Sequence, residues 1–205
     1  MKQYVLLRCL ILLVVVIPAC SPLASPAREA APVVQPTRAE GSYSLTTRTG
    51  NKEIDNILDI VASGDAQKLR SHIQFTDAAC TQLDGLGGPP KCREGESEGT
   101  PVEVLPFLSS EGSFLHSDEI EKWPGLNVSG VYAIYEVSPA VIAEQYFPVG
   151  EYVIVLLGSG NEPPVGLRVT AGRIVRVDYF LDPAPKSPDA LLQREASNFI
   201  LAPKN

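Results

Sequence analysis

The chain has 205 residues, with 17 Lys and Arg against 24 Asp and Glu, a formal net charge of −7, and 44% hydrophobic residues. That length holds one ordinary domain with some chain to spare. An acidic chain without a basic stripe argues against nucleic acid as a partner, and its surface would be repelled by anionic lipid headgroups.

The N-terminus opens on Met1-Lys2, with Arg8 following, and runs into the apolar stretch Cys9-Leu10-Ile11-Leu12-Leu13-Val14-Val15-Val16-Ile17. A basic start and an apolar core of this length form a secretory signal pattern. A spanning helix needs about 20 apolar residues, and Arg8 interrupts the run before that length is reached. Ile17-Pro18-Ala19-Cys20 closes the segment and resembles a bacterial lipobox. That resemblance implies cleavage before Cys20, diacylation on the Cys20 sulfur, and acylation of the new N-terminus, with palmitate among the expected chains. The alternative is an ordinary signal peptide with an incidental cysteine. Two or more acyl chains anchor stably, each buried CH2 contributing ~0.8 kcal/mol. The expected address is the bacterial cell envelope, on the extracytoplasmic side, lipid-anchored to the membrane. The expected divisions are 1–19 signal peptide, 20–48 tether and 49–205 a single domain. The tether carries Pro22, Pro26, Pro32 and Pro36 without a helical or strand period, the mark of a semi-extended spacer. The 17 basic residues less Lys2 and Arg8 leave 15 against 24 acidic ones in a cut chain, a net of −9.

Past Gly50, Ile54, Ile57, Leu58 and Val61 fall on one helical face. Gly64 is a stop and Asp65 an N-cap for a second piece through Leu69, His72 and Ile73. Two cysteines follow, Cys80 and Cys92. With Cys9 lost and Cys20 lipidated, this pair is expected to form a disulfide in an exported chain. The rivals are weaker. Pro90 stands where a phosphate loop needs its second glycine, and Cys92 where it needs Ser or Thr. Zinc wants four ligands at short spacings, and His72 and His116 are the two histidines. A redox pair is usually Cys-x-x-Cys. Gly85, Gly87 and Gly88 permit sharp turns inside the staple, and Pro89-Pro90 stiffen its return. Glu94, Glu96 and Glu98 alternate in the next loop but lack the Asp-x-Asp-x-Asp-Gly order of a calcium loop.

The period then changes to two. Strands are predicted at 102–105, 113–116, 131–137, 151–157, 165–170 and 173–180, the last pair forming a hairpin over Ala171-Gly172. Pro106 marks an edge or a bulge. Residues 188–200 suggest a final helix. The fold class is therefore α+β, with N-terminal helices packed on a curved antiparallel sheet and one disulfide-stapled loop. The order of helix, Ser-Gly-Asp break, helix, loops and long strands resembles the cone-shaped domain of nuclear-transport-factor-2-like and ketosteroid-isomerase-like proteins. The hairpin Leu167-Arg168-Val169-Thr170-Ala171-Gly172-Arg173-Ile174-Val175-Arg176-Val177 is similar to that superfamily's closing strands. The resemblance covers 51–74 and 130–182 and implies a cone-like cup with an acid or base inside it in the family's enzymes. Asp84 to Cys92 together with Glu98 to Val102 is also similar to a group of bacterial exported proteins, which implies no activity.

Candidate pocket or ligand residues are His116, Tyr132, Tyr135, Tyr152, Arg176 and Asp178. Arg176 and Asp178 are expected on one strand face together with Ile174, because strand side chains alternate; an ion pair between them is the plain reading. No residue is assigned a catalytic role, and no metal ligand or cofactor is expected. Trp123-Pro124-Gly125 is a lid, a contact or a plug for the core. The favoured function is a noncatalytic domain that binds a small apolar ligand or an exported protein. The alternatives are a cone-fold isomerase or hydrolase-like enzyme, and an assembly subunit forming a homodimer through its sheet face.

Overall fold

The computed structural model describes residues 41–85, 87–109, 111–143, 145–181 and 188–204. The expected signal segment, Cys20 and the expected tether as far as residue 40 lie outside the described residues.

Helix α1 (Lys52–Ser63) forms where its ends are chemically defined. The Asn51 side chain accepts from the backbone N–H groups of Glu53 and Ile54, and Glu53 and Asp55 place negative charge in the first turn. Such a cap contributes about 1 kcal/mol, and the acidic turn suits the helix dipole. Gly64 ends the helix with φ 64°, and its N–H returns to the Val61 carbonyl. Asp65 caps the short α2 (Ala66–Ser71) through Gln67 and Lys68. His72 is the C-cap, so the second helix stops before Ile73, which bridges Ile174 in the sheet instead.

Among the described residues eight strands form one sheet: β1 (Thr76–Ala79), β2 (Pro101–Leu108), β3 (Gly112–His116), β4 (Val128–Val137), β5 (Tyr152–Gly158), β6 (Val165–Thr170), β7 (Arg173–Tyr179) and β8 (Ala196–Leu201). Their order is β1-β2-β7-β6-β5-β4-β8, with β3 on β2. The sheet is mixed, which corrects the antiparallel expectation: Phe107 and Leu108 of β2 run parallel to Val177 and Asp178 of β7. That pair is about 70 residues apart along the chain, and strand periodicity carries no information about which distant strand becomes a neighbour. A short helix, α3 (Pro188–Glu195), precedes β8. The tail is therefore not one helix through Ile200. Ser197 and Asn198 are poor helix formers, and the free edge of β4 takes up the segment as a strand. Pairing starts earlier than residue 49 as well. Tyr43 bridges Val131, and its hydroxyl donates to the Ala202 carbonyl.

One sheet face carries the main core. Ile54, Ile57 and Leu58 of α1 are fully buried against Leu105, Ile134, Ile154, Leu156, Leu167 and Ile174. Burying each such side chain is worth about 1.5–3 kcal/mol. Trp123 plugs one end of this core: it is buried, its Nε1 donates to the Tyr179 hydroxyl, and Phe107 packs edge-on to it. The opposite face of β4 to β7 presents Ala133, Tyr135, Val153 and Val155, partly covered by Leu192 of α3. That second face, away from α1, carries the charged groups.

Candidate functional site

The β6–β7 hairpin builds the site. Both turn residues have positive φ, Ala171 at 47° and Gly172 at 70°, which suits the twist of a two-residue hairpin turn. One step into the ladder, Val169 pairs with Ile174 while Arg168 pairs with Arg176, so Val175 is an extra residue. A bulge of this kind breaks strict alternation. Ile174 consequently joins the helix-side core, while Arg176 and Asp178 lie on the other face. The expectation that Ile174 shares a face with them is overturned by that one residue.

Arg176 and Asp178 do pair, but as half of a larger cluster. Asp178 Oδ1 accepts from Arg176 Nε at 2.6 Å, and Oδ2 accepts from Arg168 Nε at 2.7 Å and Arg176 Nη2 at 3.1 Å. Arg168 Nη2 donates to Glu195 Oε2 at 2.7 Å, and its Nη1 donates to the Val149 carbonyl at 2.8 Å. Arg194 Nη2 reaches Glu195 Oε1 at 2.6 Å. Arg168 is 0% exposed, and Arg176, Asp178 and Glu195 are buried. Burial opposes the Arg168 charge, but Asp178 and Glu195 together outweigh it and hold the guanidinium above its ordinary pKa range. Tyr135, on the same face, is also 0% exposed, and its hydroxyl has no partner among the described residues. Burial pushes its pKa upward.

A cavity of about 390 Å³ opens over this cluster. Its charged wall is Arg168, Arg176, Arg194 and Glu195, and its apolar wall includes Leu108, Val141, Ile142, Phe147 and Val149. Phe147 is held tightly. A Cβ on Gly112 would stand 2.2 Å from its Cζ, so only glycine leaves room for the ring. The Phe114 ring lies 5.2 Å away, and the Arg176 guanidinium sits 5.9 Å from the Phe147 centroid, at cation–π range.

The other candidate residues are dispersed. Tyr132 donates to Asp189 of α3, and burial, then this bond, push its pKa up to about 12. Tyr152 packs on the α1 side of the sheet, away from the cavity. His116 lines a separate cavity of about 260 Å³ with Lys91, Phe114 and Gly85 and Gly87 of the stapled loop. The staple is formed: Cys80 and Cys92 are joined, with Cα atoms 4.9 Å apart. Cys80, Cys92 and Glu96 converge among the described residues, but the two sulfurs are bonded to each other. Arg168 and Glu195 escaped the sequence reading. A charge inside the apolar run Val165-Gly166-Leu167-Arg168-Val169 was the signal for the first; Glu195 left none. No helix among the described residues is long and apolar enough to cross a membrane. The chain matches no protein-family model, no curated protein and no solved structure.

Proposed function

We propose that this chain is an exported, noncatalytic binding domain, lipid-anchored through Cys20 to the extracytoplasmic face of a bacterial membrane, and that the cavity over Arg168 and Arg176 takes a small ligand with an apolar body. The observation that carries the reading is the cavity of about 390 Å³ with an apolar wall on one side and buried charged groups on the other, the usual composition of a small-molecule site. Its size is within the range of such sites, about 300–1,000 Å³. The lipobox-like Ile17-Pro18-Ala19-Cys20 supports the anchor.

A binding role is favoured over catalysis by the state of Asp178. Both its oxygens already accept from arginine, three bonds in all. A general base needs a lone pair within reach of a substrate proton, and a carboxylate clamped by two guanidiniums is a poor one. The cone-like cup of the resembling families stays part of the proposal, with one difference: the ligand sits outside it. The space between α1 and the sheet is filled by Ile54, Leu58, Ile154 and Leu167.

Native mass spectrometry of the full chain tests the reading. A monomer that retains a small molecule supports it, and the mass shift gives the ligand's mass. A dimer with nothing bound overturns it in favour of an assembly role.

A further inference from the structure

We infer that the ligand of this cavity carries an acidic group, a carboxylate or chemically similar oxyanion, which docks on Arg176 and Arg194, with the fully buried Arg168 behind them adding charge but no contact. The inference rests on the binding reading above and names the ligand class for that site.

Charge is the first argument. Three guanidiniums and one carboxylate, that of Glu195, line the cavity, while Asp178 is bonded behind them and is not part of the wall. The wall is therefore net positive in a chain of net charge −7. A cation would meet the arginines at short range, whereas an anion would balance the one positive charge that three arginines keep against Asp178 and Glu195.

Unused donors are the second argument. A guanidinium has five N–H groups. Among the described residues, Arg168 uses three, to Asp178, Glu195 and the Val149 carbonyl. Arg176 uses two well, both to Asp178. Its Nη1 has only two long contacts at 3.4 Å, to the carbonyls of Phe147 and Pro148. Arg194 makes one bond among the described residues, to Glu195, and its side chain is 73% exposed at the rim. Arg168, the cross-strand partner of Arg176, is 0% exposed, so the donors a ligand reaches are those of Arg176, held in place by Asp178, and of Arg194 at the rim. Planar donors fixed in this way suit a carboxylate, which accepts two parallel N–H bonds. The apolar wall and Phe147 then receive the rest of the molecule. At roughly 30 Å³ per water-sized piece, the cavity has room for an acid of about ten non-hydrogen atoms.

The test is isothermal titration of the full chain in zwitterionic lipid nanodiscs, with empty discs as reference. The probes are phenylacetate, 2-phenylethanol and 2-phenylethylamine, alike in shape and different in charge. The expected result is phenylacetate bound at least tenfold more tightly than the alcohol, a difference of about 1.4 kcal/mol, and the amine not bound. Arg194→Ala, a rim change that leaves the buried cluster in place, should weaken phenylacetate about fivefold to tenfold and leave the alcohol unchanged. Arg194→Lys should restore part of the loss. Equal affinity for acid and alcohol, or an Arg194→Ala variant that binds phenylacetate as the parent does, would overturn the acid class and leave the binding reading standing. No heat from any of the three probes would overturn both.

Discussion

Replacing Asp178 by alanine should be among the most damaging single substitutions in this chain. The carboxylate accepts three arginine N–H bonds, at 2.6, 2.7 and 3.1 Å, and both arginines are buried. Without it, Arg168 and Arg176 face each other across the β6–β7 ladder with Glu195 alone for compensation. Removing one partner of a buried ion pair costs about 3–5 kcal/mol, because the remaining charge stays desolvated. For a domain of this size each kcal/mol moves Tm by about 2–4 °C, so the expected fall is roughly 6–20 °C. The control is Asp59→Ala, which breaks the Arg48 pair at 2.6 Å, where the two side chains are 53% and 56% exposed. Exposed pairs contribute about 0–1 kcal/mol, so an equally short bond should cost little there. Urea denaturation, read as a midpoint shift at constant slope, separates the two. The double variant Arg168→Met with Glu195→Leu removes both members of the second pair and leaves Arg176–Asp178 intact. It should lie closer to the parent than Asp178→Ala does, since apolar replacement of a whole buried pair is often neutral. If Asp178→Ala and Asp59→Ala lose the same stability within about 1 kcal/mol, the argument from burial fails.

Three more expectations follow from other parts of the molecule. The Cys80–Cys92 bond closes a separation of 12 residues, so Cys80→Ser with Cys92→Ser should lose about 3 kcal/mol by chain entropy; a denaturation midpoint unchanged from the oxidised parent would contradict this. Tyr135→Phe removes a buried hydroxyl without a partner among the described residues and should leave stability unchanged or raise it by about 1 kcal/mol, whereas a loss above that would reveal a bond the hydroxyl makes. Asp55 has a lowered pKa: burial raises it, but the Thr49 N–H and hydroxyl, the Gly50 N–H and Arg48 outweigh that. Its contribution is therefore present above the ordinary carboxylate range and lost as pH falls through the folded value. Asp55→Asn should flatten the acid limb of a Tm-against-pH curve and leave its shape near neutral pH, where carboxylates do not titrate, unchanged; an acid limb of undiminished slope would count against it.

The local signals in the sequence were sufficient wherever a feature depends on near neighbours. The stripe Ile54, Ile57, Leu58 and Val61, the Gly64 stop and the Asp65 cap all act within one or two helical turns. The hairpin over Ala171-Gly172 joins two strands that are adjacent in the chain. The disulfide was readable because only two cysteines remain once Cys9 and Cys20 are set aside. The Arg176–Asp178 pair was readable too, as two residues on one strand face.

Tertiary structure decided the rest, for three physical reasons. The Val175 bulge shifts a two-residue period by one, so Ile174 and Arg176 take opposite faces although their spacing in sequence is even. The parallel β2–β7 contact and the capture of β8 by β4 are long-range pairings, chosen by which edges are free and not by propensity. The site itself needs Arg168 from β6, Asp178 from β7, Glu195 from α3 and Phe147 from a loop beside Gly112. A charge in an apolar strand shows in a sequence as an anomaly. The partners that neutralise it become visible only when the fold brings them within 3 Å of it.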